Sequence, residues 1–254
     1  MRREKGWKIH RGRKYHFNFD YFRQPIDEHR AYWLGFIRAE GHIALPQKNL
    51  RIELRDIDKP HIEKMRQDLE GNMPIRLRKK LPNNSNYIDF SSRYFIKSLL
   101  PFPNVPIKMK RHFWRGMIDG DGSIFKRIIS PQKFYTWFLS FSGSLDDVTQ
   151  FREFIKTSVK IDNRRISYSS IAIGGNRQVP KAVSILYKNS TIYLDRKYKL
   201  YEEIKNTLHR YWADRLKIDR CKICGTTKRR HRAHGLCRNC YERLQSKKRR
   251  QNGR

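Results

Sequence analysis

AYWLGFIRAEGHI (residues 31–43) and HFWRGMIDGDGSI (residues 112–124) are two versions of one phrase. Each opens on an aromatic-rich helical start and places a Gly before two apolar residues. A small residue, an acid, a Gly and an Ile then follow in fixed places. Glu40 and Asp121 are the matching acids, 81 residues apart. The flanking segments also match. LRIELRDIDKPHIEKMRQDLE reads as an alternating strand and then a helix from about Lys59 to Glu70. FYTWFLSFSGSLDDVTQFREFIK reads the same way, with its helix from about Leu145 to Lys156; Met65 and Phe151 align at an offset of 86. YIDFSSRYFIKSLL and IAIGGNRQVPKAVSILY come next, aligning Arg93 with Arg177 at an offset of 84. Near-constant offsets of this kind mark an internal duplication of a unit of about ninety residues.

Periodicity gives each unit the order helix, two strands, helix, two strands, helix. Pro101, Pro103 and Pro106 mark the join, and Gly174-Gly175 makes a turn after a strand in the second unit. Neither unit alone makes a large core; together they do.

Within the phrase, small residues recur four positions apart: Gly35 and Ala39, then Gly116 and Gly120. Positions i and i+4 share one helical face. Small residues there let two backbones approach closely. Trp33, Leu34, Phe36 and Ile37 supply apolar bulk in the first copy; Trp114, Met117 and Ile118 do so in the second. Gly41 and Gly122 stand just past the helix ends, where a left-handed glycine commonly terminates a helix. If the two faces pack together, Glu40 and Asp121 lie side by side at two helix C-termini. The negative end of each dipole makes that unfavourable without a cation. Oxygen ligands suit Mg²⁺, and acids with Mg²⁺ on a basic protein point to phosphodiester hydrolysis.

The two segments resemble the paired motifs of the LAGLIDADG homing endonucleases, in their single-chain form. AYWLGF resembles a common opening of the first motif, and TIYLDRKYKLYEEI (residues 191–204) a stretch that commonly closes such domains. The resemblance covers about residues 20–208. It implies an α+β fold of two pseudo-symmetric αββαββα repeats packed through their motif helices, each with a saddle-shaped sheet that tracks the DNA major groove. It implies Mg²⁺-dependent cleavage of both strands of a long DNA site, leaving short 3′ overhangs. The family's metal-binding acids map onto Glu40 and Asp121, and the carbonyls of Ala39 and Gly120 often share the metal. Basic side chains near the attacking water map onto Arg93 and Arg177, with Lys181 as a further candidate. Arg38 departs from the family pattern, which favours an acid there; the second copy keeps Asp119. An Arg38–Asp119 ion pair across the helices is therefore expected. Glu40 is one methylene longer than Asp, which would make the two cleavage centres unequal.

The composition agrees. The 254 residues carry 57 Lys and Arg against 24 Asp and Glu, a net charge of +33. Nucleic acid is the first anionic partner to consider. Fourteen Phe, thirteen Tyr and five Trp supply core rather than a base-stacking platform. No run of eighteen apolar residues appears, so no membrane span is expected. No apolar stretch follows the basic start, so no secretory signal is expected and the protein is placed inside the cell, with the genome of its host cell or organelle. No self-splicing segments flank the repeats, which favours an intron-borne or free-standing gene over an intein.

All four cysteines fall near the end, as C-x2-C-x12-C-x2-C: Cys221, Cys224, Cys237 and Cys240. Two such pairs complete a tetrahedral Zn²⁺ site; His231 and His234 are substitute ligands that a Cys₄ set does not need. The helix expected after them carries Arg238, Arg243 and the run Lys247-Lys248-Arg249-Arg250. So small a segment needs its metal to fold.

The expected organisation is a basic extension over residues 1–20, a first repeat over 21–108, a second over 109–208, and a zinc finger with a basic helix over 209–254. The expected partner is double-stranded DNA, met by a monomer. Rival readings are an RNA splicing maturase acting on structured RNA, a non-cleaving DNA-binding regulator, and a chromatin-type binder acting through charge alone.

Overall fold

The computed structural model describes residues 14–79, 82–128, 135–165, 168–216, 220–228 and 231–251. The basic N-terminal extension therefore lies outside the described residues up to residue 13. Two compact units are present, one ending at Glu202 and one beginning at Glu203.

The first unit contains the duplication. The first repeat runs α1 (Glu28–Glu40), β1 (Gly41–Ala44), β2 (Asn49–Arg55), α2 (Lys59–Asp68), β3 (Arg76–Arg78), β4 (Ser85–Ser91) and α3 (Arg93–Leu99). The second runs α4 (Lys110–Asp121), β5 (Gly122–Ile128), β6 (Tyr135–Gly143), α5 (Leu145–Phe154), β7 (Asp162–Arg165), β8 (Tyr168–Gly174) and α6 (Gln178–Tyr187). Helix α7 (Asp195–Leu216) follows. The sheets have matching antiparallel orders, β1-β2-β4-β3 and β5-β6-β8-β7. The expected twofold-repeated αββαββα fold is thus present.

Strand alternation decides which way each sheet faces. Leu50, Ile52 and Leu54 of β2 and Ile88 and Phe90 of β4 point into the core. Asn49, Arg51, Glu53, Tyr87 and Asp89 point to the other face. In the second repeat Trp137, Leu139 and Phe141 face inward with Ile171 and Ile173, against Val148 and Phe151 of α5. Phe17 and Phe22, ahead of α1, complete the first core: Phe17 meets Phe90 and Phe95 edge-on, and Phe22 lies tilted against Phe95.

Helices α1 and α4 join the repeats. A Cβ on Gly35 would lie 2.0 Å from the Phe113 carbonyl oxygen, and one on Gly116 would lie 2.1 Å from that of Tyr32. Only glycine permits this approach. Gly41 and Gly122 are required for a different reason from the one expected. Their φ values are −80° and −88°, so neither is a left-handed cap. A Cβ on Gly41 would meet the Ile37 oxygen at 2.3 Å, and one on Gly122 the Ile118 oxygen at 2.7 Å. Each is a steric necessity where helix turns directly into strand.

Polar links cross the same seam. Arg115 of α4, wholly buried, donates to Glu28 Oε1 of α1 at 2.8 Å and to the Ile192 and Leu186 carbonyls at 2.8 and 3.0 Å. A buried guanidinium needs this degree of satisfaction. Among the described residues no helix is long and apolar enough to cross a membrane.

In the second unit, β9 (His231–Ala233) and β10 (Leu236–Cys237) form a two-stranded ribbon followed by α8 (Arg238–Gln251). Its core is small: Cys221, Leu236, Cys237 and Cys240, with Tyr241 and Leu244 against them.

Candidate active site

Glu40 and Asp121 are the last residues of α1 and α4. The close packing brings those ends together. A Cβ on Gly120 would sit 2.4 Å from Ala39 Cβ and 3.0 Å from Glu40 Cγ. The carboxylates feel this crowding. Partial burial raises Glu40 above its ordinary range, opposed by the charges of Lys197 and Arg196. Asp121 is pushed up to about 6, first by the protein packed around its carboxyl and then by the charge of Glu40. Two crowded acids, one raised by the charge of the other, invite a cation.

One such cation is built in. Lys197, buried on α7, donates from Nζ to the carbonyls of Ile118, Asp119 and Gly122 at 2.5, 2.8 and 2.7 Å. Its ammonium thus ties the last turn of α4 to the first residue of β5, adding a second donor to the Ile118 oxygen that already accepts from the Gly122 amide. Burial lowers the Lys197 ammonium to about 8, with Asp119 acting the other way. Arg196 beside it binds Asp58 at 3.0 Å.

Asp119 is a buried hub. Its carboxylate accepts from Tyr32 Oη at 2.7 Å, Tyr187 Oη at 2.5 Å and the Leu194 amide at 2.8 Å. His61 Nε2 reaches Tyr32 Oη at 2.9 Å. The expected Arg38–Asp119 pair is not formed. Arg38, exposed, turns outward to Asp147 at 2.8 Å, because Asp119 is sealed among hydroxyl donors where a guanidinium would have to shed its water.

Arg93 is the first residue of α3, and Arg177 immediately precedes α6. Both are exposed, as is Lys181. Among the described residues no hydrogen bond or ion pair joins these three to Glu40 or Asp121. The cations whose charges reach the acid pair are Lys197 and Arg196, which sequence reasoning passed over. A signal existed. Leu194, Lys197, Tyr201 and Ile204 form a helical stripe in which a lysine takes an apolar place, and all four are buried.

No protein-family model matches the sequence, and no curated protein does. Solved structures do match. The I-LtrWI LAGLIDADG homing endonuclease bound to target DNA is 12% identical with a TM-score of 0.52, over 80% of this chain and 93% of that one. The I-CpaMI LAGLIDADG meganuclease bound to uncleaved DNA is 11% identical with a TM-score of 0.55, over 74% and 93%. I-GzeII, in complex with its DNA target, is 12% identical with a TM-score of 0.52, over 89% and 98%. The chain has the LAGLIDADG fold. Its duplicated phrase forms the central helix pair of that fold, and Glu40 and Asp121 stand at the base of the pair.

Apart from the LAGLIDADG body, four sulfurs converge. Cys221, Cys224, Cys237 and Cys240 place every Sγ within 4.8 Å of the others, and Cys224 Sγ lies 3.7 Å from Cys237 Sγ. Tetrahedral thiolate around Zn²⁺ has sulfurs about 3.8 Å apart. The backbone N–H groups of Cys224 and then Cys237, the latter at 3.3 Å, lower the Cys221 thiol to about 6. Gly225 and Gly235 hold φ of +65° and +77°, which lets the chain turn tightly after the first cysteine pair and before the second. The side chain of His231 lies outside the described set, and His234 is exposed.

Proposed function

We propose that this protein is a site-specific homing endonuclease that hydrolyses both strands of a long double-stranded DNA target as a single chain. The observation that carries this reading is the meeting of two repeat-related carboxylates at the ends of two helices in backbone contact. Water attacks phosphorus on each strand and the 3′ oxygen leaves. Glu40 and Asp121 would hold Mg²⁺, helped by the Ala39 and Gly120 carbonyls. The donor set is all oxygen and anionic, as a hard cation requires. When bound, Mg²⁺ supplies Lewis acidity towards the phosphoryl oxygens. Lys197 fixes the end of α4 and so fixes where Asp121 stands. Arg93, Arg177 and Lys181, exposed beyond the sheets, would serve the attacking water or the flanking phosphates. Fragment mapping after incubation with Mg²⁺ and a randomised DNA library tests the whole reading. Discrete double-strand cuts are expected; binding without cuts would support the regulator, maturase or chromatin-type readings instead.

Acidity should control the reaction. Asp121 must lose its proton before it can bind metal. Below about pH 6 the Mg²⁺ concentration for half-maximal cleavage should therefore rise about tenfold per pH unit. The sign for stability is opposite. A carboxyl raised in the folded state favours folding when protonated, so without metal its contribution is lost as pH rises from about 4 through about 6. Cleavage assayed from pH 5 to 8 at two Mg²⁺ concentrations checks this, and an Mg²⁺ requirement independent of pH would contradict it.

The four cysteines would hold a structural Zn²⁺, giving a DNA-binding finger. Purified protein should contain about one zinc per chain. Cys237→Ser should release it and unfold residues 221–251, while the two-repeat body keeps its melting transition. Metal analysis and proteolysis read both effects. Metal-free wild-type protein with an intact finger would refute the assignment.

A further inference from the structure

The outward faces of the two sheets are chemically unlike. On the first, Asp89 takes Arg51 by two bonds, Nε to Oδ1 at 2.8 Å and Nη2 to Oδ2 at 3.0 Å. Glu53 takes Arg78 Nη1 at 2.7 Å, and Arg76 approaches Asp89 at 3.5 Å. Both Arg51 and Arg78 lie over the Tyr87 ring, at 4.5 and 5.3 Å. Such acids would repel phosphate, so this face is not built for the DNA backbone. They do hold arginines in place. A guanidinium gripped along its Nε–Nη2 edge still presents the parallel N–H groups of its other edge. That edge matches the O6 and N7 acceptors of guanine, and carboxylates accept from the cytosine amino group.

On the second sheet, Phe125 is 42% exposed and stacks on Phe138 with centroids 5.4 Å apart and planes at 12°. Gly174 lies under Phe138, where a Cβ would come within 2.7 Å of the ring. Ser123, Ser140 and Ala172 lie beside them. Among the described residues of β5, β6 and β8, Arg127 is the one ionised side chain on this face; Asp162 of the edge strand β7, opposite Ser170, adds an acid at its border. An apolar patch bordered by small hydroxyls suits the thymine methyl group.

We propose that the two repeats read opposite base compositions: the first sheet G·C pairs through Arg51, Arg76 and Arg78, the second A·T pairs through thymine methyl groups packed on Phe125 and Phe138. This rests on the endonuclease reading, which supplies double-stranded DNA as the ligand.

The test is selection of bound duplexes from a randomised library by the full chain without divalent cation, followed by sequencing. G·C pairs should be enriched about tenfold at two or more positions of one half-site, with T-rich positions in the other. Arg51→Gln with Arg78→Gln should flatten the G·C half alone, and Phe125→Ala with Phe138→Ala the T-rich half alone. Uracil in place of thymine removes the methyl without altering the protein. It should weaken binding about fourfold per contacted methyl in the second half and leave the first unchanged. Like compositions in the two halves, or indifference to uracil, would overturn the proposal. Discrete cleavage of a site with like halves sinks this inference alone. Failure to select any duplex sinks it together with the endonuclease reading.

Discussion

Replacing Asp121 by Asn, or Glu40 by Gln, should lower double-strand cleavage by about 10³-fold while DNA binding stays nearly unchanged. That factor corresponds to about 4 kcal/mol of transition-state stabilisation, the scale expected when a metal loses a charged ligand at the reacting centre. Both substitutions keep size and remove only charge. The helix ends are already fixed by the Gly120–Ala39 contact and, on α4, by Lys197. Folding should therefore survive, and removing one of two crowded acids should even relieve repulsion in the metal-free protein. Single-turnover cleavage on a selected target, with binding measured in parallel, separates the two quantities. Full cleavage by the double variant would end the assignment of these acids.

The second large effect concerns the helix seam. Gly116→Ala should destabilise the two-repeat body by about 3 kcal/mol, at the upper end of overpacking costs. The added methyl would meet the Tyr32 oxygen at 2.1 Å and the Phe36 nitrogen at 2.7 Å. Both are backbone atoms of the partner helix, so no side chain can swing away. The helices must separate, and separation disturbs the Tyr32–Asp119 bond and the acid pair together. Urea denaturation monitored by tryptophan fluorescence reads the loss, since Trp33 and Trp114 are buried on these helices. A variant within about 0.5 kcal/mol of the parent would show that the seam is looser than described.

The duplicated phrase disclosed most of the fold because it encodes its own packing. Small residues four apart say that something comes close, and two copies say what. The acids follow, since each ends its helix. The polar interior was hidden for a different reason. Tyr187, Leu194 and Lys197 reach α4 from about seventy residues away or more; the stripe through Leu194 and Lys197 marks burial but does not say what they meet. Arg38 and Asp119 hold matching places in the repeat, but matching place does not bring them into contact. Gly41 and Gly122 were legible as helix ends but not as steric requirements, because only the turn into strand shows what a Cβ would strike. The four cysteines were readable from spacing alone, as their geometry is local.

The hydrogen bond from Tyr32 to Asp119 has no mirror image, and this bears on the ancestry of the molecule. Under the repeat correspondence Tyr32 matches Phe113, Asp119 matches Arg38, and Arg115 matches Leu34. Two first halves docked together would bring tyrosine hydroxyls to arginine, with no acid between them. Two second halves would bury a pair of aspartates facing phenylalanine. Neither half retains what it needs to meet its own twin. With the two faces holding unlike parts of one network, a symmetric pair of identical halves would lack the Tyr32–Asp119 bond that this chain makes. Gene fission into two separately expressed halves would remain open to it only as an obligate heterodimer.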